Sequence, residues 1–293
     1  MSAAPSWPNL FVVGAARAGT TSLLRYLGEH PDVFMTRFKE PHFFSRHRPS
    51  LAPYVHDEAA YLRLFASART PFRGEASTSY LWAEPAAARI ERASPEAKIL
   101  ISVRDPVERS HSFYWHRVRR GLERRSFAAA VADELERGFP HERPSCGWHI
   151  RCAADLRRYL DVFGTNVRVI VFEELIRDVA RELAGVFDFL GVDPTVSRQI
   201  EPERHNAFAV PRSRLAADLL GSDRTRRVAR ALVPYRARWS FERTLIARRR
   251  KPSMDAETDR ILTEYFASEV RELQGVLGRP LPWSRWPALA ATA

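Results

Sequence analysis

The segment Asn9-Leu-Phe-Val-Val-Gly14 constrains the fold more than any other stretch of the chain. Its apolar run has strand length, lacks polar alternation and ends on a glycine, which is how a strand buried on both faces of a parallel sheet reads. Ala15-Ala-Arg17-Ala-Gly19-Thr20-Thr21 follows directly, and the apolar spacing then predicts a helix over 21–29. A strand, a loop with four residues between Gly14 and Gly19, and a helix form the context that a phosphate-binding loop requires.

The rest of the chain continues the alternation. Ala97–Val103 (AKILISV) and Asn166–Phe172 (NVRVIVF) read as further buried strands, with short extended pieces at Val33–Met35 and Phe72–Gly74. Helices are expected over 57–65, 84–93, Pro106 to about Arg119, 153–163, 179–190 and 255–277. Pro106 suits a first helical turn and Gly191 a C-cap. The pattern predicts an α/β fold: one P-loop-like, three-layer domain over 1–293, its mostly parallel sheet flanked by helices. The core is expected over about 9–190, with a helical C-terminal portion, about 205–293, packing over the cleft. The weakest pattern lies over 205–252.

The net charge of +11 and pI near 10.3 call for an anionic partner, and a nucleotide donor meets that need. Only Lys39, Lys98 and Lys251 are lysines, so the charge is arginine dispersed over the chain. The run Arg248-Arg249-Arg250-Lys251 is short and lacks aromatic company, and no nucleic-acid partner is expected. Cys146 and Cys152 are too few for a disulfide framework or a zinc site and read as reduced thiols. No apolar run is long enough to span a bilayer. The short apolar stretch near the start has no basic residue ahead of it, so a cytoplasmic protein is expected.

The loop's chemistry narrows the ligand. Its backbone N–H groups and the helix N-terminus can wrap a phosphate. Thr20 stands where a nucleotide-hydrolysing P-loop has its lysine, so a 5′-phosphate or phosphosulfate suits the loop better than ATP. Arg17 supplies the cation from within the loop. GAARAGTTSL resembles the 5′-phosphosulfate loop of sulfotransferases that use 3′-phosphoadenosine-5′-phosphosulfate (PAPS), written around G-x-x-K-x-G-T-T/S. Arg17 departs from that lysine. The resemblance implies that Ala16, Arg17, Ala18, Gly19, Thr20, Thr21 and Ser22 hold the donor.

Arg104-Asp-Pro-Val-Glu-Arg109-Ser-His-Ser112 leaves the end of the second long strand and enters a helix. Ligands of open α/β sheets sit at the carboxyl ends of strands, so this segment and the loop are expected to face one crevice. A salt bridge between Arg104 and Asp105 that caps the helix is the other reading. The pattern resembles the family's 3′-phosphate site, which implies Arg104 and Ser112 as ligands.

Lys39-Glu40-Pro41-His42-Phe43-Phe44 sets charge against an apolar wall, where partial desolvation is expected to raise the pKa of Glu40 and suit it to take a proton. The segment is similar to K-E-x-H-F-F of the heparan-sulfate-type sulfotransferases and their bacterial relatives. That resemblance implies Glu40 as catalytic base, with His42 the rival base or a supporting imidazole. Gly74-Glu75-Ala76-Ser77-Thr78-Ser79-Tyr80 resembles a segment beside the acceptor in the same branch, which offers Glu75, Ser79 and Tyr80 either as lining of the acceptor site or in surface or packing roles; Lys39 is a further candidate acceptor contact. Ala76 and Thr78 depart from the branch's lysine and proline.

The function implied is transfer of a sulfuryl group from PAPS to a hydroxyl or amine of a saccharide, glycolipid or secondary metabolite. The displacement is in-line, Arg17 stabilises the leaving group, the product nucleotide is 3′-phosphoadenosine-5′-phosphate (PAP), and no metal is required. The alternatives are an ATP-dependent small-molecule kinase, a non-catalytic PAPS-binding protein and, on charge alone, a nucleic-acid binder. His111 and His116, five apart on a helix, do not converge on a metal. Phe113, Tyr114 and Trp115 read as helix packing.

Overall fold

The structure, a computed structural model, describes residues 7–45, 54–136, 152–202, 209–222, 225, 244–248 and 251–286. The chain divides into two compact units. The first comprises Met1–Asp105, Ile150–Glu203 and Ala267–Ala293, and the second Pro106–His149 and Arg204–Phe266.

The first unit is built on five parallel strands: β1 (Leu10–Gly14), β2 (Val33–Met35), β3 (Phe72–Ala76), β4 (Lys98–Val103) and β5 (Val167–Val171), in the order β2-β3-β1-β4-β5. Phe11 lies between Glu75 and Ile99 in register. The helices are α1 (Thr20–Leu27), α2 (Glu58–Arg63), α3 (Ala86–Ala93), α6 (Cys152–Phe163), α7 (Phe172–Arg177) and α8 (Val179–Leu190).

Every residue of β1 is buried, as its unbroken apolar run predicts. Leu10 and Val12 pack with Leu23 and Leu27 of α1 and with Leu183, Val186, Phe187 and Leu190 of α8. Phe11 points to the other face and meets the Phe44 ring edge-on at 5.7 Å. An isolated helix as short as α1 is unstable in water. Burial of Leu23 and Leu27, about 1.5–3 kcal/mol each, therefore holds it in place. At the far end of α8, Gly191 has φ 72° and closes the helix as expected.

The second unit contains α4 (Pro106–Arg119), α5 (Phe127–Glu136), α9 (Arg214–Gly221) and the antiparallel pair β6 (Ala209–Pro211) and β7 (Ile246–Arg248). The helix α10 (Ala256–Leu277) starts in this unit and ends in the first. On α4, Tyr114 is buried and Trp115 part-buried. Trp115 donates through Nε1 to His111 Nε2 at 2.8 Å, and Tyr114 donates to the Arg125 carbonyl at 2.9 Å. Lys251 pairs with Glu108 at 3.4 Å; Arg249 and Arg250 lie outside the described residues.

The expected strands and helices are present, their ends shifted by a residue or two. Three features are additions: α5, α7 and the β6–β7 pair. The two segments of the second unit pack on each other through α4, β6 and α9, a long-range pairing that no local pattern announces. Much of the C-terminal portion expected over the cleft lies outside the described residues. Cys152 is a buried thiol, and Cys146 is outside the described residues. No helix among the described residues is long and apolar enough to cross a membrane.

Candidate active site

The chain runs from β1 outward to β2, back to β3 beside β1, and then crosses to β4 on β1's other side. The carboxyl end of β1 is thus the point where the winding reverses, where open α/β sheets bind ligands. The loop there is closed by its own backbone: Ala15 N–H donates to the Ser102 carbonyl at 2.7 Å and Ala18 N–H to the Ala15 carbonyl at 3.2 Å. Ser102 Oγ donates to the Ala18 carbonyl. The first backbone bond within α1 is Leu23 N–H to the Gly19 carbonyl, 3.0 Å. The amides of Thr20, Thr21 and Ser22 therefore head the helix without acceptors inside it, and no acidic residue occupies this turn. Their partial positive charge suits an anion.

Gly19 has φ 82°, and a Cβ there would lie 2.6 Å from the Phe172 ring. Its constraints are this left-handed φ and the ring at the start of α7. Gly19→Ala is expected to cost about 1–3 kcal/mol through strained backbone and displaced packing. A thermal unfolding midpoint equal to the wild type would contradict this account of Gly19.

Arg104 leaves β4 toward the same loop. Its Nη1 donates to the Arg17 carbonyl at 3.1 Å, and its guanidinium lies 4.6 Å from the centre of the Phe172 ring. Nε is 4.0 Å from Glu173 Oε1. Burial pushes the Glu173 carboxyl up, partly offset by bonds from Trp283 Nε1 at 2.8 Å and the Asp105 amide at 3.2 Å. Asp105 gives its carboxylate to Arg285, 2.8 Å away. Two guanidinium-bearing residues, a left-handed loop and an open helix N-terminus fit an anionic phosphosulfate. Arg17 itself has φ 68°. Ser112 lies part-buried on α4, in the second unit.

A second group of side chains stands at the ends of β2 and β3. The chain leaving β2 runs on beside β3, with Thr36 N–H bound to the Gly74 carbonyl and Glu40 N–H to the Ala76 carbonyl, both 2.9 Å. Glu40 and His42 then adopt φ 62° and φ 55°. Left-handed backbone at such residues costs of order 1–3 kcal/mol each and clusters at working sites. Glu40 Oε1 accepts from Lys39 Nζ at 2.7 Å and Thr78 Oγ1 at 3.3 Å, while Oε2 lies 3.2 Å from His42 Nε2. The side chain keeps 29% of its area open.

Burial alone would raise the Glu40 pKa, but the Lys39 ammonium, the His42 imidazole and their hydrogen bonds overcome it and hold the carboxyl well below its usual range. This corrects the expectation of a raised pKa. The desolvation is present, and two cationic partners on the same loop outweigh it.

His42 is buried, with Nδ1 2.6 Å from Ser79 Oγ. Ser45 Oγ donates to the His42 carbonyl at 3.2 Å and lies 2.9 Å from Ser79 Oγ. Held between Ser79 at Nδ1 and Glu40 at Nε2, the imidazole is placed to support Glu40.

Glu75 and Tyr80 are wholly buried, and Ser79 nearly so, which moves them from the expected acceptor wall into the interior. Glu75 is buried on the inner strand β3, and Ser79 and Tyr80 in the turn that follows it. Lys39 stays part-exposed beside Glu40, as an acceptor contact requires. Sequence reasoning missed Tyr61, Ser77 and Thr78 in this group, and Phe172, Glu173, Trp283 and Arg285 around Arg104. The last four are distant in sequence, and no local signal marks them. Among the described residues, no group of three or more His, Cys, Asp or Glu is arranged to hold a metal ion.

Residues 8–274 match the sulfotransferase domain family. The chain belongs to the sulfotransferase family. It is 26% identical over 301 residues to the mouse bifunctional heparan sulfate N-deacetylase/N-sulfotransferase 1, covering 95% of this chain and 31% of that protein. It is 30% identical over 204 residues to the mouse heparan sulfate glucosamine 3-O-sulfotransferase 3B1, covering 69% of this chain and 49% of the relative. The chain thus spans 31% and 49% of the lengths of these relatives. A solved sulfotransferase from Alicyclobacillus acidocaldarius is 33% identical with TM-score 0.70, covering 94% of this chain and 98% of that one. A mouse sulfotransferase complexed with PAP shares the fold at 18% identity, with TM-score 0.53 and coverage of 92% and 86%.

Proposed function

We propose that this sulfotransferase-family chain moves a sulfuryl group from PAPS to a hydroxyl or amine of a saccharide-like acceptor, with Glu40 as the base. The observation that carries the reading is the Glu40 carboxylate. It is ionised, partly open and held by a strained loop at the end of β2. The turn after β3, which binds Glu40 through Thr78, is tied to β1 by Ser77 N–H to Val12 at 3.1 Å and Leu81 N–H to Val13 at 2.9 Å. The candidate base and the phosphate loop thereby share one frame.

Bound in the β1 loop, PAPS supplies the sulfuryl group and leaves as PAP. Arg17, the loop amides and Arg104 hold the anionic nucleotide. Glu40 takes the acceptor proton as the acceptor heteroatom bonds to sulfur and the sulfur–oxygen bond to the 5′-phosphate breaks. Arg17 and the amides of Thr20 and Thr21 stabilise the charge on the departing oxygen. Arginine keeps its proton at neutral pH. A phosphate leaving group is stable as an anion, so charge stabilisation suffices. The names of the two mouse relatives support a saccharide acceptor.

The test is incubation with labelled PAPS and a panel of acceptors that includes desulfated heparan, with products read by mass spectrometry. Sulfated product is expected, and ATP with Mg²⁺ is expected to transfer nothing. Phosphate transfer from ATP without sulfuryl transfer from PAPS would replace this reading with the kinase. Lys39 sets a second test. Lys39→Met removes a cation that offsets burial, so the Glu40 pKa rises. The acid limb of kcat/KM, set by the base losing its proton, should then move up by about one pH unit or more. An unmoved limb would separate Lys39 from the base.

A further inference from the structure

We propose that Glu75 is a positioning residue for the transfer reaction, fixing the loop that carries Glu40 through the hydroxyls of Ser77 and Tyr80. The inference rests on the reading of Glu40 as base. Three hydroxyls converge on the wholly buried Glu75 carboxylate: Tyr61 at 2.6 Å and Tyr80 at 2.7 Å on Oε1, and Ser77 at 2.7 Å on Oε2. A hydroxyl has one proton, so a hydroxyl that donates to Glu75 turns only lone pairs to its other neighbours. Those of Ser77 accept the His42 N–H at 3.1 Å, and those of Tyr80 accept the Phe44 N–H at 3.2 Å.

Alternate residues of the loop are therefore tethered to one segment: Glu40 to the Ala76 carbonyl, His42 to Ser77 and Phe44 to Tyr80. Two of these three residues have left-handed backbone, which persists only where surroundings over-determine it. The carboxylate supplies that determination by orienting both side-chain acceptors. Burial pushes the Glu75 carboxyl up, and the hydrogen bonds from the three hydroxyls offset only part of that rise. Glu75 touches no reacting atom in this scheme; it acts through Ser77 and Tyr80.

Tyr61 gives a matched control. It donates to the same Oε1 from α2, and among the described residues it has no hydrogen bond to the 36–45 loop. Tyr61→Phe and Tyr80→Phe should lower the thermal midpoint alike. Only Tyr80→Phe and Ser77→Ala should lower kcat, by about tenfold to a hundredfold, while the Kd for PAP stays within about twofold. The rate is read as PAP release from PAPS with desulfated heparan and with water alone as acceptor. Crystal structures should keep the 3.2 Å His42–Glu40 contact in Tyr61→Phe and lose it in the other two.

Equal kcat values for the two tyrosine variants, or an intact contact in Tyr80→Phe and Ser77→Ala, would overturn the proposal. Should Tyr80→Phe fail to fold, Ser77→Ala against Tyr61→Phe decides. Full turnover by Glu40→Gln would remove the base reading alone, since the crystallographic comparison does not depend on which group takes the proton.

Discussion

Glu40→Gln is expected to lower turnover by about 10²–10⁴-fold, the span that a positioned general base contributes. Glutamine keeps the volume, and its carbonyl oxygen can still accept from Lys39 and Thr78, at the cost of the acceptor facing His42 Nε2. The Kd for PAP should be unchanged, because the donor residues sit at the ends of β1 and β4 and not on this loop. Steady-state rates at saturating PAPS and calorimetric titration with PAP measure the two quantities. Retained turnover would pass the proton to another group. His42, 3.2 Å from Glu40, is the nearest candidate.

Arg104→Ala should weaken PAP binding by about ten- to a hundredfold, or about 1.4–3 kcal/mol, the range of hydrogen bonds to a charged group. Part of the loss is indirect. Arg104 also holds the Arg17 carbonyl, so its removal loosens the phosphate loop. Arg104→Lys separates the contributions: it keeps the charge but loses the planar fork that both the carbonyl and a phosphate require. Lysine should recover only part of the affinity. An unchanged Kd in Arg104→Ala would take this residue out of the donor site.

Much of this architecture was legible before any coordinates. Asn9–Gly14 and Ala97–Val103 announced themselves because a strand covered on both faces needs an unbroken apolar run. The loop between them and α1 stood out because its glycines and Arg17 have few other uses. Glu40 was legible as a candidate, but its titration was not. Lys39 and His42 are sequence neighbours, and only the left-handed turns at Glu40 and His42 reveal that both face the carboxylate. The polar string Glu75–Tyr80 read as a lining of the cleft or as packing; burial on β3 and in the turn after it makes it an interior network. Phe172 against Gly19, and Trp283 against Glu173, join positions more than a hundred residues apart. Periodicity carries no information about such pairs.

The sheet order has a consequence for how such a protein can change its substrate. The residues proposed to hold the donor hang from β1 and β4, whereas Glu40, His42 and their supports hang from β2 and β3. The acceptor half is thus a cassette that can be exchanged without rewriting the nucleotide half. Its two pieces are not independent, because three alternate amides of residues 40–44 are matched to residues 76–80. Grafting only one piece from a relative would mismatch donors and acceptors along this seam. Grafting both together should carry a working acceptor side into a foreign nucleotide frame.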